Sequence, residues 1–184
     1  MGTASRILAG TVASALACVG SSFSGSAQAL APPCHVIQVR LSVTADTDIV
    51  PRTQQSPVAL ELRDSSRSTC EFRGYPTITL VAHGRPLSFR YRDSGDSEVT
   101  ARPPVPVTLS PRQSVWVLID KPHCQSSGAT PLATAVFVAI RHLSGQVRAQ
   151  LHPGDALGYC SAPDIGHYVY VSPFEPNLRD AERG

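Results

Sequence analysis

Apolar and polar residues alternate with a period of two along much of this chain. Ile37, Val39, Leu41 and Val43 alternate with Gln38, Arg40 and Ser42, which is how a strand with one face in a core and one in water reads. Val58, Leu60 and Leu62 repeat the pattern against Ala59, Glu61 and Arg63. Further strands are predicted at Thr77 to Val81, Leu87 to Tyr91, Val105 to Leu109, Ser114 to Ile119, Thr134 to Arg141, Val147 to Leu151 and Tyr168 to Ser172. Ala133 to Ile140 is dense in β-branched and aromatic residues and predicts a strand buried on both faces.

Breakers separate these runs: Gly74-Tyr75-Pro76, His83-Gly84-Arg85-Pro86, Pro103-Pro104, Ser110-Pro111, Ser144-Gly145 and Pro153-Gly154. With 16 prolines and 13 glycines spread along the chain, long helices have nowhere to form. Many short strands closed by turns predict an all-β fold, an antiparallel β-sandwich, as a single domain over residues 30–172. Beyond Pro173 the chain turns polar and charged, which predicts a flexible tail over residues 173–184.

The N-terminus changes the compartment. Arg6 precedes an uncharged run from Ile7 to Val19, and Ala27-Gln28-Ala29 has the small-residue form of a signal-peptidase site, so residues 1–29 read as a secretory signal peptide. The run falls short of the roughly 20 apolar residues that a membrane span needs. An alternative is a lipoprotein signal ending before Cys18, where Ala15-Leu16-Ala17-Cys18 resembles a lipidation box and a Gly/Ser-rich tether follows. The expected location is therefore secreted or in the cell envelope, with a lipid anchor as the only membrane attachment.

Outside that segment stand four cysteines, Cys34, Cys70, Cys124 and Cys160. An even number in an exported chain reads as two disulfides. Three connectivities are open, and the preferred one joins Cys34 to Cys70 and Cys124 to Cys160, each pair 36 positions apart. A loop of that length carries about 4 kcal/mol of unfolded-state entropy in the loop-closure view. The net charge is +2 and the arginines are scattered among acids and prolines, which argues against nucleic acid as a partner.

Cys70-Glu71-Phe72-Arg73-Gly74-Tyr75-Pro76, together with Pro106 to Pro111 (PVTLSP) and the four cysteine positions, resembles the exported actinobacterial domain of unknown function 4232 family, over about Cys34 to Val171. That resemblance implies an immunoglobulin-like sandwich at the cell envelope, commonly on lipoproteins, and brings no catalytic residues. Two positions depart from the family pattern: Asp64 stands where an Asn is usual, and Arg112 where a Gly occupies the turn. Asp serves the same turn chemistry, whereas Arg takes a positive φ less readily, so a different turn type is expected at Arg112. Gly74, Tyr75 and Pro76 read as a corner: freedom for the backbone, a ring with a hydroxyl, and a fixed start for the next strand.

Candidate chemistry is sparse. Gly95-Asp96-Ser97 has the look of a hydrolase nucleophile block, but it lies in a polar turn and not between a strand and a helix. Cys34-His35 and His123-Cys124 are possible copper ligands without an axial methionine, since Met1 is the only Met. Asp46-Thr47-Asp48 and Asp93 to Glu98 offer oxygens for calcium at no known calcium-loop spacing. Trp116, the only tryptophan, is expected to pack in the core against a disulfide, and Tyr168 and Tyr170 share one face of the last strand.

No enzyme is expected, and no cofactor or metal. The leading reading is a non-enzymatic binding or structural module whose partner is an envelope or extracellular protein, glycan or lipid, recognised through loops, with Arg85 to Pro104 the favoured region and not needed for the core. The alternative is a small metal-binding or redox accessory domain.

Overall fold

A computed structural model of the chain describes residues 31–44, 57–125, 131–141, 144–153, 155 and 157–182. Eleven strands follow in chain order: β1 (Val39–Thr44), β2 (Val58–Asp64), β3 (Cys70–Phe72), β4 (Pro76–Ala82), β5 (Arg85–Pro86), β6 (Arg90–Arg92), β7 (Val107–Leu109), β8 (Ser114–Asp120), β9 (Ala135–Ile140), β10 (Val147–Gln150) and β11 (Tyr168–Val171). One short helix, α1 (Leu178–Ala181), follows them. The segment 1–29, with Cys18, and Asp46 to Asp48 lie outside the described residues.

The strands form a five-stranded sheet in the order β1-β2-β8-β11-β6, a four-stranded sheet β10-β9-β4-β5, and a two-stranded ladder β3-β7. Every pair is antiparallel except β11 with β6, where Tyr168, Val169 and Tyr170 run parallel to Arg90, Tyr91 and Arg92. The sandwich is therefore not wholly antiparallel, because β6 reaches the edge of the first sheet from a crossover out of β5. Its core takes Val58, Leu60, Leu62, Val115, Val117, Ile119, Val169 and Val171 from the first sheet and Ile78, Leu80, Val136, Val138 and Ile140 from the second. Strict alternation along each strand is what lets one face enter a common core.

Ile37 departs from the predicted face. It is 94% exposed, in a single 3₁₀ turn (Val36–Gln38) that precedes β1, so the buried set of that strand begins at Val39. Ala135–Ile140 also departs, since Phe137 and Ala139 are only half-buried and β9 keeps one outward face.

The predicted C-terminal tail is a packed segment through Glu182. Phe174 and Ala181 are fully buried, and the Phe174 ring lies 4.8 Å from that of Phe72, centroid to centroid. Trp116 and Glu175 exchange backbone hydrogen bonds of 2.8 and 2.9 Å, Thr100 N–H donates to the Ala181 carbonyl at 2.9 Å, and Asn177 caps α1 by accepting from Asp180 N–H. Polar residues around Phe174, Leu178 and Ala181 masked three apolar anchors. The segment covers the outer face of the first sheet, where Ala59, Val99, Leu118 and Ala181 make a second small core.

Trp116 points to that second face. It is half-buried against the segment and does not pack in the main core on a disulfide, because its strand parity opposes that of Val115 and Val117. The structure joins Cys34 to Cys70 and Cys124 to Cys160, with Cα atoms 4.8 and 5.9 Å apart, both within ordinary disulfide reach. Such bonds fit an oxidising compartment. No helix among the described residues is long and apolar enough to cross a membrane.

Candidate functional site

The outer face of the four-stranded sheet carries a groove. Alternation sends Ile78, Leu80, Val136 and Val138 inward and leaves Thr79 on β4 and Phe137 on β9 facing out. Between β4 and β5 the chain turns on His83 and Gly84, both at positive φ (49° and 73°), the geometry of a tight hairpin turn. That turn sets Pro86 beside Val81 as one wall. Arg148 on β10 supplies the other, its guanidinium carbon 5.7 Å from the Phe137 ring centroid, a contact worth about 0.5–1 kcal/mol when exposed. Thr134 and Gln146 complete a groove of about 610 Å³. Among the described residues one cation and no carboxylate line it.

A different chemistry lies on the outer face of the first sheet. Asp120, at the end of β8, is fully buried beneath the loop that carries Asp96 and Glu98. Burial, reinforced by the facing Asp96 and by Glu98, pushes its carboxyl group up to about 8. Asp96 holds its own loop, its Oδ1 accepting from the N–H groups of Glu98 and Val99 at 2.9 and 2.8 Å. Next along the chain Lys121 is also buried; desolvation pushes its ammonium pKa down, and Asp164 and Asp120 oppose that shift.

The motif Gly74-Tyr75-Pro76 leads from β3 into β4. Gly74 sits at φ 74°, its carbonyl accepts from Phe174 N–H at 3.1 Å, and buried Pro76 opens β4. Burial is the first cause that raises the Tyr75 hydroxyl, followed by the charges of Asp93 and Glu175. Gly95-Asp96-Ser97 lies in the loop after β6, not on a strand-to-helix elbow. Asp93 of the same acidic stretch pairs with Arg141. Cys34 and Cys124 spend their sulfurs in disulfides, and among the described residues no group of three or more His, Cys, Asp or Glu is arranged to hold a metal ion.

The Arg85 to Pro104 region is not the free loop expected. Phe89, Val99 and Thr100 within it are buried, and the Tyr91 hydroxyl oxygen accepts from Leu80 N–H at 2.8 Å. A chain of aromatic contacts that periodicity could not reveal runs from Phe89 through Tyr159 and His167 to Tyr168, with centroids 5.1 to 5.9 Å apart. Arg92 caps it, 4.0 Å over the Tyr168 ring. Tyr168 is thus engaged by its neighbours, and Tyr170 packs on the second core.

Both departures from the motif pattern meet in one place. Arg112 N–H donates to the Asp64 carbonyl at 3.1 Å, and Asp64 N–H donates to the Gln113 carbonyl at 2.9 Å. Asp64 performs the turn chemistry, its carboxylate accepting from Ser66 N–H and Ser66 Oγ. Arg112 nonetheless adopts φ 70°, so the turn keeps the left-handed form, contrary to the expectation of another type.

Residues 34–175 match the model of the domain of unknown function family DUF4232. The chain belongs to that family. No curated protein and no solved structure matches it. The match spans the two sheets, both disulfides and Phe174, so the packed C-terminal segment begins inside the DUF4232 domain.

Proposed function

We propose that this DUF4232 chain is an exported, non-enzymatic module of the cell envelope or extracellular space that holds a saccharide chain along the outer face of its four-stranded sheet. The observation that carries this reading is the groove: an aromatic ring on its floor, with hydroxyl, amide and guanidinium groups on its flanks. A sugar presents an apolar ring face to an aromatic side chain and hydroxyls to donors around it, and Thr79, Thr134, Gln146 and Arg148 supply those partners. Among the described residues the groove carries no carboxylate pair of the kind that glycoside hydrolysis ordinarily uses, which supports binding without turnover. Two disulfides and the signal-like segment 1–29 support export.

Retention on insoluble cell-wall polysaccharide tests the reading. The wild-type domain is expected to be retained, with Phe137→Ala and Arg148→Ala each losing tenfold or more in affinity while keeping the β circular dichroism, as truncation of central contacts does. Equal retention of all three proteins, or none by the wild type, removes the groove as a glycan site.

A further inference from the structure

The two disulfides differ in their surroundings. Cys34 and Cys70 are both buried and belong to the main core. Cys160 is buried, at 4% exposure, but outside that core, and Cys124 is half-exposed. Beside Cys124 stands a charge: Lys121 Nζ lies 3.9 Å from its Sγ while donating to the Pro122 carbonyl at 2.6 Å.

We propose that Cys124–Cys160 is a reversible thiol–disulfide exchange site, attacked at Cys124 by a small dithiol, while Cys34–Cys70 is a permanent staple. In the first step a reductant thiolate attacks Cys124 Sγ, the S–S bond breaks, and Cys160 Sγ leaves with the bonding pair and takes a proton. The Gly158 carbonyl, 3.7 Å from Cys160 Sγ, is placed to accept the resulting S–H. In the second step the reductant's other thiolate attacks its own sulfur in the mixed disulfide, closes the reductant's disulfide and expels Cys124 as a thiolate next to the Lys121 ammonium. Two electrons pass from the dithiol to the cystine; of the dithiol's two protons one ends on Cys160 and the other is released to solvent, since Cys124 leaves as a thiolate. An adjacent cation favours the thiolate, and the thiolate is both the better leaving group and, in the return reaction, the nucleophile. The other titratable groups around it are Asp164, which opposes the desolvation of the Lys121 ammonium, the buried Asp120 and the exposed His123.

Opening this bond does not set its ends adrift. Asp164 bridges the two segments, accepting from Gln125 N–H at 3.0 Å and from Gly166 N–H at 2.8 Å. Gly166 packs so closely on the pair that a Cβ there would meet Cys160 Sγ at 2.5 Å and Cys124 Cα at 3.1 Å. Tyr159 N–H donates to the Pro131 carbonyl, and Ala133 N–H to that of Leu157, each at 3.0 Å. The thiols therefore remain near each other and can close again.

The test is a dithiothreitol titration of the full oxidised chain under native conditions, with alkylation and peptide mapping at each step. Cys124 and Cys160 are expected to label at a reductant concentration at least about tenfold below that which opens Cys34–Cys70, with circular dichroism unchanged and the bond reforming on oxidation. Simultaneous labelling of all four cysteines, or loss of the β signal with the first label, overturns the proposal. In the selectively reduced protein, Lys121→Met should slow alkylation of Cys124 at neutral pH by about tenfold, one pKa unit, with Lys121→Arg close to wild type. Equal rates in all three overturn the role of Lys121, and the wild-type titration decides the site whether or not the variants fold.

Discussion

Asp120 faces Asp96 across the junction between β8 and the loop after β6, and its own burial, with that carboxyl group beside it, favours the protonated form of Asp120. Asp120 is fully buried, and neither of its oxygens has a well-formed bond to an N–H or O–H donor among the described residues; the Lys121 backbone gives slight relief. Its pKa stands near 8 in the folded chain against 3.8 for the free group. The folded state therefore keeps a proton that the unfolded chain releases, and the stability from that proton is complete below pH 4 and is lost as pH rises towards 8. Over that window the slope is about 1.4 kcal/mol per pH unit. Asp120→Asn supplies a permanent N–H donor to Asp96, so its denaturation midpoint should exceed that of the wild type by a margin that grows from pH 5 to pH 8 and then levels. Parallel pH profiles for the two proteins would refute the raised pKa of Asp120.

Leu60 and Leu62 show what was legible in the sequence: on β2 the alternation is strict, one face is core, and periodicity alone placed them. Ile37 shows where the same signal misleads, because a 3₁₀ turn breaks the period before β1 and the side chain ends 94% exposed. Ile37→Ser is accordingly expected to change stability by no more than about 0.5 kcal/mol, whereas Leu60→Ala, at a fully buried position, should cost about 2–5 kcal/mol. Urea denaturation of both variants checks the assignment, and a large loss for Ile37→Ser would return that residue to the core.

The groove and the acid pair were illegible for a different reason. Phe137 and Arg148 come together only through the pairing of β9 with β10, where Phe137 stands opposite Arg148, and Asp96 meets Asp120 across a long separation in sequence. No local pattern carries such contacts. At Gly74-Tyr75-Pro76 the signal is local instead: a glycine at positive φ and, two residues on, a proline whose ring fixes φ.

Arg112 holds a left-handed conformation at φ 70° in the turn that bonds to Asp64. That conformation costs an ordinary side chain roughly 1–2 kcal/mol, and glycine escapes it while adding roughly 0.4–1 kcal/mol of unfolded-state freedom. The difference predicts that Arg112→Gly stabilises the domain by up to about 1 kcal/mol. Arg112→Val should destabilise it, since a β-branched residue tolerates positive φ worst. A thermal melt in which Gly lowers the midpoint as much as Val would show that the arginine side chain itself holds the turn.

Phe174 anchors the C-terminal segment, and Trp116 reports on it. The Phe174 ring lies against Phe72 in the main core, whereas Trp116 is pinned on the opposite face of the same sheet by its two backbone bonds to Glu175. Removing the ring should cost about 3–5 kcal/mol, a large part of the 5–15 kcal/mol that a typical domain has in total. Phe174→Ala is thus expected to melt at a markedly lower temperature, with Trp116 emission in the native state shifted only slightly. Truncation after Ser172 also strips Glu175, Leu178 and Ala181 from the second face, so it should shift Trp116 emission to the red before any unfolding begins. The two variants separate the anchor from the cover: a truncated chain whose melting point and emission both match the wild type would restore the flexible tail that its polar sequence predicted.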